Sequence, residues 1–115
     1  MSFCTEIEGL LTSISNLTSG SMPDSPVNAV CIYRTGGGAR EFTESKLENP
    51  TFQVMIRNSS FDTGEALCNT IADLLHGKKT TNNLIIKQMS GPFSLPRDSN
   101  NNSLFSINFE TLYRR

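Results

Sequence analysis

Pro50-Thr51-Phe52-Gln53-Val54-Met55-Ile56-Arg57-Asn58 alternates apolar and polar side chains, and this run with its sequel sets the class of fold. Residues two apart point to the same side of a strand, so Phe52, Val54 and Ile56 share one face while Gln53, Met55 and Arg57 share the other. A helix is expected from about Phe61. Ser60 or Asp62 supplies its cap, and Asp62 and Glu65 give it an acidic first turn that suits the helix dipole. Leu67, Cys68, Ile71, Leu74 and Leu75 line one side, and Gly77 closes the helix ahead of Lys78-Lys79. Leu84 to Met89 reads as a further strand, broken by Ser90-Gly91-Pro92. A polar turn over Leu95 to Asn102 precedes a last strand in which Phe105, Ile107, Phe109 and Tyr113 face inward and Ser106, Asn108 and Glu110 outward.

The N-terminal half reads less sharply. Phe3, Ile7, Leu10, Leu11, Ile14 and Leu17 recur at spacings of three and four, which predicts a helix from Phe3 to Leu17. Gly20 ends it, and Pro23-Asp24-Ser25-Pro26 forces an extended turn. Val27 to Arg34 is the first strand. Ala29, Cys31 and Tyr33 lie on one face and Val30 and Ile32 on the other, as for an inner strand or one covered by a partner. Thr35 to Ala39 is a flexible break, and Arg40 to Asn49 is an exposed, charged loop. The expected fold is therefore α+β, in the order α-β-β-α-β-β. Two helices pack on one face of a mostly antiparallel four-stranded sheet, in a single domain over 1–115.

Composition narrows the function. The chain has 115 residues, a 37% apolar content and a formal net charge of −1 from ten basic and eleven acidic residues. That apolar share is low for a globular domain, and a thin core with a polar skin suits a subunit that draws stability from neighbours. No block of like charge would grip nucleic-acid phosphates. The three cysteines, Cys4, Cys31 and Cys68, have neither redox nor zinc spacing and read as small buried hydrophobes in a chain made in a reducing cytosol. Glu6 and Glu8 stand where a secretory signal would need a basic start, and no apolar run reaches membrane-spanning length. The sequons at Asn16, Asn58 and Asn101 follow from richness in Ser and Asn.

Catalytic chemistry finds no foothold. Gly36-Gly37-Gly38 follows a strand, as phosphate loops do, but lacks the Gly-Lys-Ser/Thr that completes a Walker pattern and the helix after it. His76, the one histidine, lies at a helix end, where its cation would complement the terminal carbonyls. The acidic residues form no E-x-x-H pair and no EF-hand loop. Asp98, beside Arg97, is a hydrogen-bonding turn residue. No catalytic, cofactor or metal residue is assigned. The strongest interaction candidate is the loop from Arg34 to Glu48, whose mixed charges would set register between subunits more than affinity.

Met22-Pro23-Asp24-Ser25-Pro26, Tyr33-Arg34-Thr35-Gly36-Gly37 and the run from Pro50 to Asn58 form an ordered series. Gly91-Pro92, Arg97-Asp98 and Phe105-Ser106-Ile107-Asn108-Phe109 continue it. The series resembles the tailed-bacteriophage minor capsid and tail terminator proteins over nearly the whole chain. Pro96 departs from it, standing where a glycine would precede the Arg-Asp pair. The resemblance implies a virion protein of tail and neck, made in the bacterial host cytoplasm. Copies of it would form a homo-oligomeric ring, commonly a hexamer, that caps the tail tube and joins it to the head connector. Its partners would be further copies of itself, the tail tube protein and a head-completion or stopper protein, with DNA only as passing cargo and no membrane. Subunit contacts are expected at Arg34, Gly36, Gly37, Gly38, Arg40, Glu41, Phe42, Arg57, Arg97 and Asp98. The alternative within the same particle is a stopper, head-completion or minor capsid subunit. A contrasting class, a nucleotide-binding domain built on the glycine loop, would lose nucleotide on Gly37→Val.

Overall fold

The computed structural model describes residues 3–37 and 47–114. Two helices and six strands follow in the order α1 (Phe3–Leu10), β1 (Leu17–Ser19), β2 (Ala29–Gly37), β3 (Leu47–Glu48), β4 (Pro50–Asn58), α2 (Phe61–Leu75), β5 (Asn83–Leu95) and β6 (Ser103–Arg114). The sheet is mixed. β1 runs parallel to β2, and the pairs β2–β4, β4–β6, β3–β6 and β5–β6 are antiparallel. β3 and β4 lie along β6 in one continuous register, interrupted at Asn49, so together they act as a single long central strand. From edge to edge the sheet reads β1, β2, the β3–β4 run, β6, β5.

One face of the sheet carries the core. Val30, Ile32, Phe52, Val54, Ile56, Ile86, Phe105, Ile107, Phe109 and Tyr113 meet Phe3, Ile7 and Leu11 from the N-terminal segment and Cys68, Ile71 and Leu75 from α2. Both helices therefore lie on the same side, as the alternation of β4 and β6 requires. Phe52 stacks on Phe109 at 5.1 Å, and Phe3 meets Phe52 and Tyr113 edge-on at 5.5 and 5.4 Å. Burying each such ring is worth roughly 2–3 kcal/mol, so this cluster anchors α1, only eight residues long, to the sheet. Gly64 lets α2 sit close. A Cβ there would stand 2.5 Å from Phe105 Cε2 and 3.2 Å from Asn58 Cβ.

Several expectations are corrected. The first helix stops at Leu10, not Leu17, and the sheet has six strands in mixed orientation where four mostly antiparallel ones were expected. The reason lies in Thr12, Ser13, Ser15 and Asn16, side chains that compete for backbone hydrogen bonds and leave the helix early. Asn16 adopts φ 60°, turning the chain so that Leu17, Thr18 and Ser19 pair with Val30, Cys31 and Ile32. Ile14 and Leu17 still pack on the core; the apolar spacing was right and the helical period wrong. Gly91-Pro92 does not end its strand either. β5 continues to Leu95 by absorbing register shifts between Gln88 and Phe93, with Gly91 at φ 97° in the bulged stretch. Leu47 and Glu48, expected in a loop, add to β6. Gly38, Arg40, Glu41 and Phe42 lie outside the described residues.

Candidate interaction surfaces

A carboxylate decides how the N-terminal helix is held. Glu6 is 5% exposed, and its oxygens accept hydrogen bonds from Thr80 Oγ1 (2.6 Å), Asn82 N (2.9 Å), Asn82 Nδ2 (3.1 Å) and the Tyr113 hydroxyl (3.3 Å). Burial works against its charge, but these donors outweigh burial and hold the carboxyl pKa below its ordinary value. The same surroundings push the Tyr113 hydroxyl up, through burial first and the Glu6 charge after it. This cluster joins α1, the α2–β5 connection and β6. Every oxygen has a donor, so it is a structural clasp and not a poised acid.

The expected contact residues fall into three places. Arg34 and Gly36 lie at the far end of β2, beyond the reach of β1. The Arg34 guanidinium sits 5.3 Å from the centre of the Phe3 ring, and Gly36, at φ 119°, occupies the bulge against β4 that Thr35 opens. Gly37 follows, paired with Pro50. Arg57 is turned inward on its own chain. Its guanidinium donates to the carbonyls of Val27 (2.7 Å), Pro26 (3.0 Å) and Pro23, fastening the Pro23–Val27 segment beside β4. Arg97 and Asp98 start the β5–β6 turn. Asp98 Oδ1 accepts from the backbone N–H of Asn100 (2.9 Å) and Asn102 (2.8 Å), and Arg97 Nη1 donates to the Asn101 carbonyl (2.9 Å). The Asn102 amide above all lowers the Asp98 pKa. The turn thus forms despite Pro96, by the local bonding expected of Asp98.

Sequence reasoning missed the outer edge. β5 closes one side of the sheet, and three of the five exposed large apolar residues among the described residues lie on it: Ile85 (47%), Met89 (53%) and Phe93 (47%). Its middle is covered. Gly77 N donates to Ile86 O (2.7 Å), Ile86 N to Lys78 O (3.0 Å), and Gln88 N to His76 Nδ1 (3.0 Å). The lone histidine therefore caps a sheet edge. The sequence reading of Leu84 to Met89 as a strand carried no signal of its place at the edge, because edge position depends on which elements pair beside it.

Among the described residues no group of three His, Cys, Asp or Glu side chains is placed to hold a metal, and no helix is long and apolar enough to cross a membrane. The cleft between the N-terminal turn and β2, about 340 Å³, is lined by Ser13, Ser15, Asn16, Asn28, Asn58 and apolar neighbours, without an ionisable side chain. Burial pushes the Cys68 thiol up to about 12, with Glu65 adding to it, so its thiolate is not formed at neutral pH.

Comparison with known proteins supplies what the site chemistry leaves open. A family model described as "Bacteriophage tail terminator protein" matches residues 7–115. No curated protein matches the chain. Among solved structures, a chain of the "Virion of native gene transfer agent (GTA) particle" superimposes with a TM-score of 0.72 at 11% identity, covering 99% of this chain and 96% of that one. At that identity the likeness is one of fold. The family match covers α1 from Ile7 onward, α2 and every strand: the protein belongs to the bacteriophage tail terminator family, a structural component of the virion tail.

Proposed function

We propose that copies of this chain close into a ring, six-fold as in the expectation above, on the end of the tail tube. The ring stops the tube's growth and presents a surface to the head-completion or stopper protein. Its work is assembly, and no bond in a substrate is made or broken. The observation that carries this is the family match over residues 7–115. Three features support it. Among the described residues no further strand pairs outside β1 or β5, so edge backbone outside the part of β5 covered by residues 76–78 is left for head-to-tail contacts between identical copies. The net charge of −1 lets DNA pass through a lumen without a grip on its phosphates. Of the residues nominated for contact that fall in described segments, Arg34, Gly36 and Gly37 lie beyond β1 on one edge, and Arg97 and Asp98 lie next to β5 on the other.

Native mass measurement of the purified protein, alone and on isolated tail tubes, tests the ring; an oligomer of one fixed size is expected. Particles assembled without the protein are expected to carry tails of uncontrolled length. Tails that end normally in its absence would overturn the reading. Density at the connector side of an otherwise intact ring would place the protein as a stopper.

A further inference from the structure

We infer that the ring contact is made by strand addition: the open distal half of β5 in one copy docks on the open distal half of β2 in the next. This rests on the ring reading above and assigns it a surface. The two half-edges are described by what covers their neighbours. On β5, the residues 76–78 occupy Ile86 and Gln88 and go no further. From Met89 to Leu95 no backbone group of another described element pairs with the outward side of the strand; the Gly91 carbonyl accepts from Gln88 Nε2 (2.8 Å) within β5 itself. On β2, β1 reaches only Ile32, where Gly20 N donates its last bond. From Arg34 to Gly37 that side has no partner among the described residues.

Their placement selects a second copy as the occupant. β2 and β5 lie at opposite sides of the sheet, so a contact between them is head-to-tail and repeats around a ring. They also lie toward opposite ends of it. The open part of β2 pairs with Pro50 and Thr51, at the end of β4 away from Arg57, whereas the open part of β5 pairs with Leu104, Phe105 and Ser106, which in turn face Arg57, Ile56 and Met55. A copy joined this way is displaced along the strands, and the sheet continues from copy to copy. Backbone hydrogen bonds supply this contact without charge, as a near-neutral surface requires. Phe93 and Met89, half-exposed on the monomer, gain cover from the neighbour. Pro92 lacks an N–H and the strand is bulged around it, which keeps the open run short and resists indiscriminate edge pairing.

Two variants test it, in the full chain, alone and on isolated tail tubes. Thr35→Cys and Ser94→Cys place thiols on the two exposed half-edges, and a short bis-maleimide tolerates small errors of register. The double variant is expected to give a ladder of covalent oligomers ending at the ring, and a mixture of the two single variants to give dimers. Each single variant alone should crosslink no more than the unsubstituted chain with its native cysteines. Met89→Lys/Phe93→Lys is expected to abolish the oligomer while the monomer's Tm stays unchanged. Dimers from Ser94→Cys alone equal to those of the mixture, or an oligomer of unchanged mass in the double lysine variant, would overturn the edge assignment and leave the ring standing. Failure of the unsubstituted chain to form any oligomer, alone or on tubes, would overturn the ring reading and this inference with it.

Discussion

The Tyr113 hydroxyl donates to Glu6 Oε2 at 3.3 Å, joining the first helix to the last strand across 107 positions of sequence. Thr80 and Asn82 complete the same carboxylate from a third element. The N-terminal helix, too short to be stable by itself, is thus held by one charged cluster and three aromatic rings.

Replacing Glu6 tests this clasp. Glu6→Ala leaves the donors of Thr80, Asn82 and Tyr113 without their acceptor, and a loss of about 2–4 kcal/mol is expected from several charge-assisted bonds. Denaturant unfolding measures it. Faster amide exchange confined at first to α1 would show that the helix is released before the sheet.

The clasp also sets a pH dependence. Because the folded carboxyl pKa is lowered from its reference of 4.5, the unfolded state binds a proton more readily than the folded one. Its contribution is complete above about pH 5 and fades as pH falls through 4.5 toward the lower folded value. Unfolding free energy measured from pH 7 down to pH 3 is expected to fall more steeply in the natural chain than in Glu6→Gln. Parallel curves would assign acid sensitivity to other carboxyls.

Gly64→Ala reads the closeness of α2 to the sheet. Alanine favours a helix, but its methyl carbon would meet Phe105 Cε2 at 2.5 Å, below any normal contact. Overpacking is expected to win, lowering stability by about 1–3 kcal/mol in a thermal melt.

Ser103 points the other way. Its Oγ is buried with no hydrogen-bond partner. Ser103→Ala removes an unpaired polar group and is expected to stabilise the fold by up to about 1 kcal/mol, read as a raised midpoint in denaturant.

Arg57 fastens a loop, so Arg57→Ala is expected to free the Pro23–Val27 segment. Limited proteolysis should then cut within that segment while the core stays protected. Arg57→Lys should rescue only in part, since a single ammonium cannot span the four carbonyls, of Pro23, Asp24, Pro26 and Val27, held by the guanidinium fork.

Side-chain period alone was enough for β4, α2 and the inner face of β6, because each buries one face and the period, two in a strand and about 3.6 in a helix, shows which. Phe52, Val54, Ile56, Phe105, Ile107 and Phe109 are all buried as that period demands. The series of motifs, from Met22-Pro23 to Phe105–Phe109, was enough for the family. Leu17-Thr18-Ser19 could not be read locally: three residues carry no period, and only pairing with Val30–Ile32 makes them a strand. The continuation of β5 past Gly91-Pro92 depended in the same way on β6 lying alongside to take up the bulges. Hydrophobic period is written in neighbouring residues and survives in the sequence. Strand pairing, the four donors around Glu6 and the open halves of two edges come from residues far apart in the chain, so only the folded sheet decides them.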